Sequence, residues 1–133
     1  QVIHILRDEL SGGFSSVAWS RNGKHLAAGG FDKMVRVLDA ASGQMIHTLR
    51  GHSGGVVSVS WSPDGKRLAS SSFDGTVKVW DAASGYETVT LRGHTDVVQS
   101  VDWSPDGQRL ASGSWDNTVK VWDARKGYAM ERE

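Results

Sequence analysis

Residues 51–81 read GHSGGVVSVSWSPDGKRLASSSFDGTVKVWD, and this stretch decides the fold class. Val57, Val59 and Trp61 alternate with Ser58 and Ser60, the period of two that a half-buried strand requires. Ser62-Pro63-Asp64-Gly65 is a turn: Pro presets φ, Asp can bond the backbone ahead, and Gly takes a positive φ. Arg67–Ser72 predicts a second strand, and Asp74-Gly75 a two-residue hairpin. Thr76–Trp80 predicts a third strand with Val77 and Val79 on one face. Ala83-Ser84-Gly85 turns again, and Tyr86–Leu91 reads as a fourth strand. No segment carries a helical period long enough to compete, so the chain reads as all-β.

Working outward, the stretch recurs. Trp19, Trp61 and Trp103 stand 42 residues apart, as do Asp32, Asp74 and Asp116, and Asp39, Asp81 and Asp123. A constant period of this size marks a repeat architecture, and the units 49–90 and 91–133 agree at roughly two-thirds of positions. The third unit has its own turn, Ser104-Pro105-Asp106-Gly107, and its own hairpin pair, Asp116-Asn117. The unit 9–48 keeps the frame but has drifted, and residues 1–8 precede it as a lone strand. Four short antiparallel strands per unit of about 40–45 residues is the arrangement of a β-propeller blade. The pairs Gly51-His52 and Gly93-His94, with Trp80-Asp81 and Trp122-Asp123, make the chain resemble the WD-repeat family along essentially its whole length.

That resemblance implies a role for a constellation that otherwise invites a catalytic reading. His52, Ser70 and Asp74, and again His94, Ser112 and Asp116, carry the residue types of a hydrolase triad. In WD-repeat blades the matching residues, joined by Trp80 and Trp122, form a buried hydrogen-bonded network that ties the strands together. Physical chemistry favours the structural role. A nucleophile needs an exposed Oγ beside oxyanion donors, whereas Ser70 lies in mid-strand, and an active site is rarely duplicated blade by blade. The first unit retains only Asp32, with Ala28 in the Ser position, Leu38 in the Trp position, and Asp8-Glu9-Leu10 where the Gly-His pair belongs. It is expected to lack the network and to be the least stable of the three.

Composition narrows the remaining functions. The 133 residues carry 15 basic and 15 acidic side chains without a long basic run, which argues against a phosphate-tracking surface and nucleic acid. Cys is absent, which removes disulfides, thiolate metal sites and a cysteine nucleophile and accords with a cytoplasmic location. No apolar stretch approaches the roughly 20 residues that cross a bilayer, no signal-peptide pattern opens the chain, and no membrane role is expected. His4, His25 and His47 have no metal-binding spacing, and the turn acids Asp64 and Asp106 lack the further ligands of a calcium loop. No metal or cofactor is expected. Gln1 in place of an initiator Met points to a processed, excised or engineered segment.

A non-enzymatic interaction scaffold is the leading reading. The resemblance implies a partner-binding face built from the loop before each innermost strand and the turn between the second and third strands. Those positions are Phe31, Phe73 and Trp115 in the turns, Gly55 and Val57 in the second unit, and Val97 and Gln99 in the third; Gly13 and Ser15 correspond in the first. The opposing reading is that each aromatic merely packs over its own turn. Three blades also cannot close a ring, because propellers close with typically 4–8, so each open end should expose an apolar area near or above ~300–600 Å². The segment 2–7 resembles the outer strand at 45–50, and its Ile3 and Ile5 are the candidates to complete the last blade of another copy. A dimer would then give six blades and a trimer nine. Two further readings stand beside the scaffold: a purely structural or engineered assembling fragment, and a small-molecule or enzymatic site in the central channel.

Overall fold

The computed structural model describes residues 1–7, 12–125 and 128–130. Each repeat forms its own sheet. The first comprises β1 (Phe14–Trp19), β2 (His25–Gly30), β3 (Val35–Asp39) and β4 (Met45–Leu49). The second comprises β5 (Val56–Trp61), β6 (Arg67–Ser72), β7 (Val77–Asp81) and β8 (Glu87–Leu91), and the third β9 (Val98–Trp103), β10 (Arg109–Ser114), β11 (Val119–Asp123) and β12 (Tyr128–Met130). All pairings are antiparallel between consecutive strands, the meander of a propeller blade.

The turns form for the local reasons their residues dictate. Asp64 Oδ1 accepts from the Lys66 N–H at 2.9 Å and the Ser62 hydroxyl at 2.7 Å, while the Gly65 N–H closes the turn onto the Ser62 carbonyl. Asp106 repeats this with Gln108 and Ser104, and Asn22 does so in the first sheet. At the hairpins Gly75 and Asn117 sit at φ 85° and 72°, which both residue types tolerate, but Lys33 holds φ 77° at the equivalent place, a costlier choice.

One sequence expectation changes. The innermost strand of every sheet carries a β-bulge, skipping Ser15, Val57 and Gln99 in the ladder. Val57 therefore leaves the face shared by Val59 and Trp61, and Val56 is buried beside them instead. A bulge re-aims the extra residue's side chain, which matters for the rim described below.

Two apolar seams hold the sheets together. Trp61 and Val59 of the second sheet cluster with Ala27, Val35, Val37 and Leu49 of the first. Trp103, Val98 and Val101 of the third cluster with Ala69, Val77, Val79 and Leu91 of the second. The innermost strands lie side by side, β5 against β1 and β9 against β5. The three sheets form an open arc, and no ring is closed.

Candidate functional site

Trp is a donor only and an Asp carboxylate an acceptor only, and these two ends orient the hydrogen bonds inside each intact repeat. The Trp80 indole N–H donates to Ser70 Oγ at 2.9 Å, and Ser70 Oγ lies 2.7 Å from His52 Nε2. The imidazole donates from Nδ1 to Asp74 Oδ2 at 2.9 Å, and in the neutral ring this leaves Nε2 to accept the Ser70 hydroxyl proton. Trp122, Ser112, His94 and Asp116 repeat the relay at 2.8, 2.7 and 2.7 Å. Ser70 is fully buried and both functions of its hydroxyl are engaged, the opposite of an available nucleophile.

Thr76 and Thr118 belong to the same constellation, donating to Asp74 and Asp116 at 2.6 and 2.5 Å. The Ser53 and Thr95 backbone N–H groups add bonds of 3.0 and 3.1 Å. Sequence reasoning missed the threonines, although the recurring Asp-x-Thr spacing was a signal. Burial works against the Asp74 carboxylate, but the bonds from His52 and Thr76 outweigh it and hold its pKa well below the ordinary aspartate value. For Asp116 the Thr118 bond leads, burial opposes, and His94 adds to the same downward shift. In the first sheet Asp32 instead pairs with Arg36, whose guanidinium is the chief cause of its lowered pKa. An arginine thus stands in for the imidazole there. The segment expected to replace the Gly-His pair, Asp8-Glu9-Leu10, lies outside the described residues.

On the rim, Phe31, Phe73 and Trp115 form a continuous ladder. Ring centroids are 6.3 Å apart for the first pair and 6.1 Å for the second, the latter edge to face. Exposures of 44, 45 and 54% leave each ring half available while its inner edge packs on its neighbour. The Phe73 N–H bonds the Gly55 carbonyl and the Trp115 N–H bonds the Val97 carbonyl, fixing each aromatic to the loop before the innermost strand. Val57 is half-buried and Gln99 exposed, both at bulges. Val97 is the exception among the expected rim residues: at 7% exposure its side chain is turned inward, and only its backbone serves the rim.

Across each seam an indole reaches the preceding blade. Trp61 Nε1 donates to the Ala18 carbonyl at 3.0 Å and Trp103 Nε1 to Ser60 at 2.9 Å. The outer edges are joined by His47, whose Nε2 donates to the Ala83 carbonyl at 3.0 Å. His4 makes the same 3.0 Å bond to Ala41, so residues 1–7 stand to the first sheet as β4 stands to the second. They form no strand here, and Ile3 and Ile5 are exposed. At the two ends of the arc the seam residues lie open: Val17 and Trp19 on one face, Val119 and Val121 on the other.

The profile described as WD domain, G-beta repeat matches residues 43–81 and 85–123. The chain belongs to the WD40 repeat family. Each WD40 match begins at or just before the outer strand of one sheet and ends with the third strand of the next, so a sequence repeat bridges a seam. A second profile, for the anaphase-promoting complex subunit 4 WD40 domain, matches residues 1–61. The solved structure titled "Structure of U3-55K" superposes with a TM-score of 0.90 at 25% identity, covering 96% of this chain and 41% of that one. The WD40 chain thus spans about two-fifths of that relative's length. No curated protein matches the sequence. WD40 repeats generally mediate protein–protein interaction and are generally non-enzymatic scaffolds.

Proposed function

We propose that the chain is a non-enzymatic scaffold that receives a protein or peptide on the rim formed by Phe31, Phe73 and Trp115. The carrying observation is the half-exposed ladder itself: one aromatic per blade, in mutual contact, beside bulges that present Val57 and Gln99. Large, rigid aromatics dominate interface energetics because they bury much area at little entropic cost. The two triad-like sets are assigned to the framework, and no catalysis, cofactor, nucleic acid or membrane contact enters this reading. The test is capture of interacting proteins by the wild-type chain and by a Phe73→Ala/Trp115→Ala variant. Loss of partners from a folded variant supports the rim; undiminished capture overturns it.

A second reading concerns the open faces. Trp61 and Trp103 find their acceptors one residue before the preceding Trp, at Ala18 and Ser60. The next step in that series is the Asp102 carbonyl, which the Trp19 indole of a second copy would reach. Head-to-tail association of this kind closes six blades from two chains or nine from three. Blades of a longer chain containing these residues suit the same faces. Absolute mass by light scattering across a concentration series decides: two or three chains, lost on Trp19→Asp, supports closure between copies, and one chain throughout overturns it.

A further inference from the structure

Each of the two seams joins an inserting set of side chains to a receiving set. Ala27, Val35 and Val37 of the first sheet cluster with Val59, Trp61 and Leu68 of the second, and all six are buried. Ala69, Val77 and Val79 of the second sheet cluster in the same way with Val101, Trp103 and Leu110 of the third. The third sheet carries the inserting set again as Ala111, Val119 and Val121, all exposed, Val119 by 75%. The first sheet carries the receiving set again as Val17, Trp19 and Leu26, with Val17 exposed by 69%. One chain therefore holds an unfilled receiver at one end of the arc and an unused inserter at the other.

The receiver is hollow. Val17, Leu26 and Leu38 line a cavity of about 420 Å³ together with Phe14, His4 and Leu6. The His4 bond to Ala41 holds that wall as the His47 bond to Ala83 holds β4, and Leu49, the counterpart of Leu6, lines the first seam.

Charge adds a second complementarity. At the first seam the turn after β1 and the turn after β5 share a groove of about 160 Å³, with Asn22 on one side and Pro63 on the other. At the second seam Asp64 and Pro105 hold those positions, and a methyl group built on Gly107 would lie 3.6 Å from Pro63. Carried one seam further, the same positions are Asp106 and the Arg21 of a following copy, so an acid meets a base where both internal seams have proline. Asp106 caps its turn through Oδ1, which receives the Ser104 hydroxyl and the Gln108 N–H, and Oδ2 carries neither bond. Arg21 and Asp106 are both exposed.

We propose that the cavity on the first sheet receives the third sheet of a second copy, with Ala111, Val119 and Val121 of that copy seated in it and its Asp106 paired with Arg21. The proposal rests on the closure reading above and adds which side chains enter and which ion pair selects another copy. Receiver and inserter are different surfaces, so the contact is heterologous: each copy gives one face and takes the other. An exposed ion pair adds little affinity but steers the encounter, which makes association depend on salt.

Sedimentation of the full chain across concentration and salt provides the test. The wild type should associate, and less so as salt rises. Val119→Lys removes the inserter and Trp19→Asp the receiver; both residues are exposed, so each variant should fold and stay a single chain. Mixed in equal amounts the two variants should form a complex of two chains and no larger, because one intact receiver meets one intact inserter and both remaining ends are blocked. Asp106→Asn keeps the turn, since Asn22 caps the first turn with the same bonds, and should weaken wild-type association about threefold to fivefold with a flatter salt dependence. If the wild type associates but Val119→Lys still does, or the mixed variants remain single chains, the proposal is overturned while closure between copies stands. Asp106→Asn association as tight and as salt-dependent as the wild type would overturn the ion pair. Wild-type chain that stays single throughout would overturn both the proposal and the closure reading.

Discussion

The Trp103 indole donates to the Ser60 carbonyl at 2.9 Å across the seam between the second and third sheets, anchoring one blade to the backbone of another. Trp19 occupies the same position in its own sheet yet is 62% exposed, because no blade precedes it in the arc. Trp103→Phe should therefore cost about 1–2 kcal/mol, through the lost bond and the orphaned carbonyl. In dilute chain Trp19→Phe should cost less than about 0.5 kcal/mol. Denaturant midpoints compare the two directly, and a Trp19 cost that grows with protein concentration would report its burial against another copy.

His52→Ala should destabilise the chain by about 1–3 kcal/mol, because Ser70 and Asp74 lose the group between them inside a dry sheet. The buried imidazole is bonded at both nitrogens, so little relaxation can replace it. Urea unfolding of the variant measures the loss; an unchanged midpoint would refute a structural role for the relay.

Acid should reach the same network. Asp74 is held well below its ordinary pKa in the folded chain, so its contribution is complete above the unfolded-state value of about 3.9. It is lost progressively as pH falls below that value toward the folded pKa. Asp74→Asn should be less stable at neutral pH and should show a shallower decline between pH 5 and pH 2. Unfolding midpoints across that range check both slopes.

Ser71 offers a gain. It is fully buried, and its Oγ has no hydrogen-bond partner among the described residues. The equivalent positions in the other sheets are Gly29 and Gly113, so nothing in the plan of the blade calls for a hydroxyl. Ser71→Ala should stabilise the chain by about 1 kcal/mol by removing an unsatisfied buried polar group while keeping its Cβ. A raised thermal midpoint is the expected reading.

Strands and turns were legible because their causes are local. Asp64 and Gly65 make their turn with residues two or three positions away, and the 42-residue spacing repeats the result. The relay through His52, Ser70, Asp74 and Trp80 was legible only through family resemblance, since 28 residues separate its ends and nothing in their spacing demands contact. What stayed hidden depends on packing between strands and sheets. The bulges at Val57 and Gln99 and the buried side chain of Val97 are features of the assembled ladder that strand alternation alone does not reveal. Arg36 could replace a histidine because it happens to sit beside Asp32 on the next strand.

The arrangement of the seams also dictates how the arc should come apart. Among the described residues the second sheet is covered on both sides, and the outer two each lean on a single neighbour. Repeats that touch only their neighbours behave as a short one-dimensional array, whose stability is a sum of units and junctions. Such an array unzips from its ends. Backbone amides of β5–β7 should exchange with solvent last, those of β1–β3 first among the two flanks because that sheet lacks the histidine relay, and a protease should trim the chain inward toward a resistant middle.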